Sequence, residues 1–370
     1  MVATDRFVNS GRHRIPVRNI WLLLLYASDL FRQLDRSQRS GVEENPDDIP
    51  DLIAEILTRA VERRLARNLS LGWRTRREDL NRVRGRVDLL RTESRWLLER
   101  GKVACRLDEL TIDTPRNRLV RAALARLATI GGRRTLVSRC RSLAARLERL
   151  GVGIEKPPRT EVSVDTFGRL DVNDRLMVAT ARLAFDLALP NEEQGAIDFN
   201  VPDREIVWLR NLFERAVAGF YDVVLSPEGW RVDHGKRLDW PQSDATKGIE
   251  AILPSMKTDI VLEHSSLGRR LVIDTKFNSI LTPGQFGKDS LRSGYMYQIY
   301  AYLRTQVHED DPLSGRAAGL LLHPSVGRKV DEAVKIQGHA IRFATVNLAA
   351  TAGEIRRQLL AMVAPHPEYA

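Results

Sequence analysis

An α/β fold, α+β over the whole chain, is predicted by three observations. Residues 204 onward run helix, three strands, helix, strand, the order of a mixed sheet covered by helices. The first half alternates amphipathic helices with short, turn-punctuated segments, as in a mixed helical and β domain. The chain has 370 residues, 43% apolar and 29% charged, enough for two buried cores and incompatible with general disorder.

Taken in order, residues 19–33 read as a helix opened by Asn19, with Ile20, Leu23, Leu24, Ala27 and Leu30 at helical spacing. Arg12, Arg14 and Arg18 precede its apolar run Ile20 to Ala27, as in a signal peptide, but Ser28-Asp29-Leu30 follows, so the segment reads as a buried helix. An acidic loop, Glu43 to Pro50, leads to a second helix over about Asp51 to Asn68. Residues 70–112 carry turn signals, including Arg84-Gly85-Arg86-Val87-Asp88, and are expected to include strands. Residues 116–150 are helical, broken at Gly131-Gly132. The stretch Gly151 to Thr166, with Pro157-Pro158, is the expected domain boundary, giving a basic N-terminal domain 1–165 and a second domain 166–370. The second begins with a helix at roughly 170–189 and has its core at about 204–325. That core comprises a helix over 204–221, strands over 229–238, 257–263 and 270–277, a helix over 290–306 and a strand from Ala318 to His323. A strand at about 338–347 and a helix at about 352–364 close the chain.

Two cysteines, Cys105 and Cys140, exclude a disulfide framework and a four-thiolate zinc site, and suit a reducing compartment. No apolar run approaches the ~20 residues needed to span a bilayer. A soluble, cytoplasmic protein without a membrane partner is expected. The net charge of +10 is uneven: residues 1–165 hold 34 basic and 22 acidic side chains, residues 166–370 hold 24 and 26. The first half therefore suits a polyanion or an acidic protein surface. However, 49 of the 58 cations are Arg, which base composition alone could favour, and many stand beside acids, as in Glu62-Arg63-Arg64.

The most informative stretch pairs Lys257-Thr258-Asp259-Ile260-Val261-Leu262 with Leu271-Val272-Ile273-Asp274-Thr275-Lys276. Asp274 and Lys276 are two apart on a strand and project from one face. With the hairpin tip near Ser266 and Leu267, Asp259 falls opposite Asp274. Opposed like charges destabilise a sheet unless neutralised. A divalent cation does this, and oxygen-only ligands favour Mg²⁺, or Mn²⁺, over zinc. Such a cation with a nearby lysine is what phosphodiester hydrolysis needs: a polarised phosphoryl oxygen, an acidified water, and an amine to orient that water. An exposed hairpin with Asp and Lys paired to each other is the bland alternative. Gln298 and Tyr302, four apart on the 290–306 helix, share a face that could turn toward the hairpin, or could form the edge of a core stripe with Tyr295, Ile299 and Leu303. Glu214 could be a third metal ligand, or a helix acid paired with Arg210.

Asp259, then Asp274-Thr275-Lys276, then Gln298-x-x-x-Tyr302 resembles the PD-(D/E)xK nuclease core, in the version with a Q-x-x-x-Y helix seen in RecB-like nucleases. More fully, the chain resembles the McrC family. The likeness runs through Ile15-Pro16-Val17-Arg18-Asn19-Ile20 with Tyr26-Ala27, Arg84-Gly85-Arg86, Asp108-Glu109-Leu110-Thr111-Ile112-Asp113-Thr114 with Asn117-Arg118, and Leu253-Pro254 to Lys276. It ends with Gly319-Leu320-Leu321-Leu322-His323-Pro324 and Thr345-Val346-Asn347-Leu348. Thr258 stands where the motif's name has proline, which is not a ligand.

The resemblance implies a restriction-endonuclease-like second domain. Asp259 and Asp274 would bind Mg²⁺ and Lys276 would assist hydrolysis, with Glu214 and Gln298 as weaker candidates. It also implies a partner, a hexameric AAA+ GTPase of the McrB kind that recognises methylcytosine DNA, stimulated by the N-terminal half. GTP would be used by that partner, and this chain has no G-x-x-x-x-G-K-[ST] loop of its own. Residues 51–150, with 25 cations against 12 acids, could meet the GTPase, double-stranded DNA, or both. Two alternatives stand beside the endonuclease: a non-nucleolytic GTPase activator with a vestigial nuclease fold, and an independent basic DNA-binding protein.

Overall fold

A computed structural model describes residues 7–10, 13–164, 172–192, 202–283, 288–325 and 328–369. The N-terminal elements are β1 (Phe7–Ser10) and β2 (His13–Pro16), then α1 (Val17–Tyr26), α2 (Asp29–Gln33) and α3 (Arg36–Glu44). The helix expected over 19–33 is thus two helices. Ser28, extended at φ −101°, ψ 149°, breaks it. Its start is Val17, after Pro16, whose fixed φ suits entry into a helix. Asn19 does not open the helix. It is buried, and its amide donates to Leu348 O at 2.7 Å and Ala350 O at 2.9 Å. Ile20 and Leu22–Leu25 are all buried, so α1 is a core helix apolar nearly all round.

The next elements are α4 (Ile49–Leu65), β3 (Gly72–Leu80), β4 (Arg86–Val87), α5 (Leu89–Ser94) and β5 (Val103–Thr111). They continue with α6 (Pro115–Ile130), α7 (Arg134–Arg149), α8 (Arg159–Val164) and α9 (Val172–Glu192). The strands expected in 70–112 form an antiparallel sheet of order β3-β5-β4. The break at Gly131-Gly132 separates α6 from α7, and Asp51 accepts hydrogen bonds there from the Gly132 and Arg133 amides. Thr114 caps α6 by accepting from the Asn117 amide at 3.2 Å, and the Asn117 side chain donates to Ser70 O and Ile112 O.

The last stretch holds α10 (Pro202–Leu225), β6 (Arg231–His234), β7 (Arg237–Leu238), β8 (Met256–Lys257), β9 (Ile260–His264), β10 (Arg269–Thr275), β11 (Leu281–Pro283) and β12 (Asp289–Leu291). It ends with α11 (Ser293–Arg304), β13 (Ala318–Pro324), β14 (Asp331–Ile336), β15 (His339–Val346) and α12 (Ala352–Val363). Its main sheet has six strands in the order β14-β15-β13-β10-β9-β6. β13 pairs parallel with both β10 and β15, and the remaining pairs are antiparallel, so the sheet is mixed as expected. The strand expected over 229–238 is split at Gly235, and β14 was not foreseen.

By its contacts the chain forms two units, residues 1–49 with 190–370, and residues 50–189. This differs from the expected division at 165/166, whose last residues, 165–166, lie outside the described ones. The physical reason is that α1 packs on α10 and α3 on α12, so the first 49 residues complete the core of the C-terminal unit. At Gly219 a Cβ would stand 2.1 Å from Tyr26 O, so α10 approaches the end of α1 as closely as only glycine allows. Val261, Val272, Leu321, Ile341 and Phe343 of the sheet form one buried cluster with Ile299, Tyr302 and Leu303 of α11. No helix among the described residues is long and apolar enough to cross a membrane.

Candidate active site

The hairpin β9–β10 pairs Arg269 with His264 and Ile273 with Ile260. Continued one step, this register sets Asp274 opposite Asp259, as the sequence spacing predicts. The ladder ends there because the Asp259 side chain takes over as acceptor. Its Oδ2 receives the Thr275 backbone N–H at 2.7 Å and the Thr275 hydroxyl at 2.8 Å. Alternation along β10 puts Asp274 on the same face as Val272, the face that α11 covers.

Asp274 is fully buried. The Lys276 ammonium lies 2.7 Å from its Oδ2. No backbone N–H or hydroxyl donates to either carboxylate oxygen among the described residues. Such a group is costly unless something compensates it. Burial pushes its carboxyl up to about 6; the Lys276 charge opposes this and the Asp259 charge adds to it. Asp259 is also raised, chiefly by burial, against the hydrogen bond from the Thr275 amide. Two carboxyls held above their usual range in one place are a site that gains on receiving positive charge.

Lys276 is placed from both sides. Its backbone N–H donates to Leu322 O at 3.0 Å, holding the chain in line with β13. Its ammonium sits over the Tyr295 ring, 5.3 Å from the centroid. The Tyr295 hydroxyl receives the Asn278 side-chain amide at 2.6 Å. The Asn278 carbonyl is 3.0 Å from His323 Nδ1, which makes that nitrogen the protonated one. Burial lowers the His323 pKa to about 4, so the ring is neutral at physiological pH. Tyr295, Asn278, His323 and Thr275 were not foreseen as site residues. A signal for Asn278 was its place two residues past Lys276, but nothing in the spacing marks His323 as a neighbour.

Gln298 and Tyr302 bond to each other, Gln298 Nε2 donating to the Tyr302 hydroxyl at 2.6 Å. Tyr302 is buried in the core cluster, and burial raises its hydroxyl pKa, with the charges of Asp274 and Lys276 also felt there. The motif helix therefore has both expected characters, a core stripe and a polar edge turned toward the hairpin. Glu214 on α10 is paired with His234 Nε2 at 3.1 Å rather than with Arg210. That hydrogen bond is the main reason its carboxyl lies below the ordinary range, with Lys257 and Lys276 contributing. Its charge is felt at both Asp259 and Asp274, so the structure brings it near them. No group of three His, Cys, Asp or Glu side chains among the described residues is arranged as a ready metal cage. Asp274 and Asp259 fit an oxygen-ligated divalent cation that keeps several waters, which is how Mg²⁺ binds.

The Escherichia coli (strain K12) protein described as Type IV methyl-directed restriction enzyme EcoKMcrBC is 25% identical over 348 residues, 94% of this chain and 96% of that protein. Among solved structures, the chain is similar to a half-complex from a tetradecameric assembly of Thermococcus gammatolerans McrB AAA+ hexamers with bound McrC, at 14% identity and a TM-score of 0.42, covering 94% of this chain and 76% of that one. A second structure of the Thermococcus gammatolerans McrBC complex is similar at 12% identity and a TM-score of 0.32, covering 48% and 58% of the two chains. A family model described as McrBC 5-methylcytosine restriction system component matches residues 9–313, and the chain belongs to that family.

Proposed function

We propose that the chain is the Mg²⁺-dependent DNA endonuclease subunit of a GTP-driven restriction system acting on methylcytosine DNA, working with an AAA+ GTPase ring of the McrB kind. The observation that carries the reading is the buried Asp274 carboxylate, with Lys276 at 2.7 Å and Asp259 opposite it, at the end of a hairpin in a mixed sheet. Asp274 and Asp259 would hold the cation, with Glu214 a weaker third ligand. When bound, the cation would supply Lewis-acid polarisation of the scissile phosphate and acidification of a water. Lys276, fixed over Tyr295, directs its ammonium toward the attacked phosphate and the incoming water. Thr275 fixes the Asp259 carboxylate through two hydrogen bonds, which limits its motion while DNA binds. Gln298, through the Tyr302 hydroxyl, sets the polar edge of α11 beside Lys276.

The GTPase partner enters through the family and through the names of its relatives. GTP would be bound by that ring and not by this chain. A non-nucleolytic activator is the second reading, favoured by the engagement of Glu214 with His234. The two separate in an assay on methylated plasmid with GTP and the partner ring. Asp274→Ala is expected to abolish Mg²⁺-dependent cleavage and leave GTPase stimulation intact. Cleavage at the wild-type rate by Asp274→Ala would exclude the endonuclease assignment.

A further inference from the structure

The exposed β3–β5–β4 sheet carries an arginine row to which the nuclease chemistry assigns no role. β3 pairs with β5 so that Arg77 stands opposite Arg106, and β4 pairs with the other edge of β5 so that Arg86 also stands opposite Arg106. Directly opposed residues of antiparallel strands project from one face, so the three lie in a line across the sheet with Arg106 central. Strands are about 4.8 Å apart, which puts the outer two Cα atoms roughly 10 Å from each other. All three side chains are exposed.

One carboxylate serves this row. Asp88 Oδ2 accepts from Arg106 Nε at 3.3 Å and Nη2 at 3.2 Å, and among the described residues Arg77 and Arg86 are in no ion pair. Opposed like charges weaken a sheet, so the arrangement works against folding. The chain nevertheless builds it tightly. Gly85 has φ +71°, and a Cβ there would meet Arg106 O at 2.4 Å, so glycine is what lets Arg84-Gly85-Arg86 lie down on β5. The Arg84 N–H then reaches Cys105 Sγ at 3.5 Å.

We propose that this face binds the phosphodiester backbone of double-stranded DNA, through Arg77, Arg86 and Arg106. Guanidinium groups present a planar fork that matches phosphate oxygens. A straight row of them matches a straight row of anions, and each DNA strand offers one charge about every 3.4 Å of helix axis. Contacts of this kind read no base, so the face binds methylated and unmethylated DNA alike. An acidic protein surface is the competing occupant. The exposed apolar pair Trp73 and Leu110, at the far end of the same face, would suit a protein contact. The Thr75–Asp108 hydrogen bond, 2.6 Å, separates that pair from the arginines, so the two can be tested apart.

The inference takes its ligand from the proposed function but needs no cleavage. The test is fluorescence anisotropy of the full chain with a short labelled duplex, methylated or not, over a salt series without divalent metal or GTP. In R77Q/R86Q, affinity falls and the slope of log affinity against log salt shrinks by about 2, near one for each lost phosphate contact. R77K/R86K keeps the slope. The thermal midpoint of R77Q/R86Q equals or exceeds that of the wild type, because opposed charges are removed. Wild-type affinity and slope in R77Q/R86Q overturn the proposal. So does a variant that binds DNA normally yet fails to stimulate the partner GTPase, which would make the row a protein contact. A failed nuclease assignment would show in plasmid cleavage and leave these binding results unchanged.

Discussion

At the scale of single residues, Asp274 dominates. Its carboxyl is held at about 6, above its ordinary 3.8, because it is buried. The folded chain therefore holds this proton more tightly than the unfolded chain. The stability linked to it is fully present below the unfolded value and is lost as pH rises through about 6. Asp274→Asn removes that loss. In chelator at neutral pH the variant should be more stable by up to about 3 kcal/mol, offset in part because Lys276 loses its partner. Thermal melts against pH check this, and a variant whose advantage over the wild type is no larger at neutral pH than near pH 4 would contradict it. Lys276→Met should still bind metal and should cut about 100- to 1000-fold more slowly, read in single-turnover cleavage. The two acids and the lysine were legible in the sequence because strand alternation and hairpin length fix which residues face one another. Tyr295 and His323 were not, because they come near Lys276 only through the packing of α11 and the parallel pairing of β10 with β13, which sequence spacing does not encode.

At the scale of elements, the long motifs prove to be staples. Asn19 joins α1 to the segment after β15, and Asn117 joins α6 to Ser70 and Ile112. Asp113, in the same motif, accepts from the Gly153 amide at 2.7 Å. These polar residues in otherwise apolar or helical stretches look like caps or surface positions when read alone, which is why Asn19 reads as a helix start in the sequence. Asn19→Ala strands two carbonyls in the interior and should cost about 1–3 kcal/mol, measured by denaturant unfolding. A change under a few tenths would contradict that role. Helix and strand positions were largely readable from apolar periodicity. The break at Ser28 and the strand β14 were not, since each depends on what the segment packs or pairs against.

At the scale of the whole molecule, the chain order hides the division. Residues 1–49 belong with residues 190–370, and the intervening 50–189 form a unit of their own. A boundary rich in proline and glycine is visible in sequence, whereas the return of α1 to pack on α10 is not. A fragment of residues 190–370 should therefore expose the apolar partner of α1 and aggregate, while the same fragment fused to residues 1–49 should fold. Near-ultraviolet circular dichroism of both fragments decides this, and a native-like spectrum from the shorter one would refute it. The charge asymmetry is likewise a property of the whole chain: the near-neutral part carries the candidate nuclease chemistry and the basic part carries the arginine row.

The most direct test of the central claim is Mn²⁺ binding to the full chain without DNA or partner, followed by electron paramagnetic resonance. The wild type is expected to bind the ion at a site that Asp259→Asn or Asp274→Asn alone abolishes and Lys276→Met retains. Equal binding by the wild type and both aspartate variants would contradict a shared cation at this hairpin.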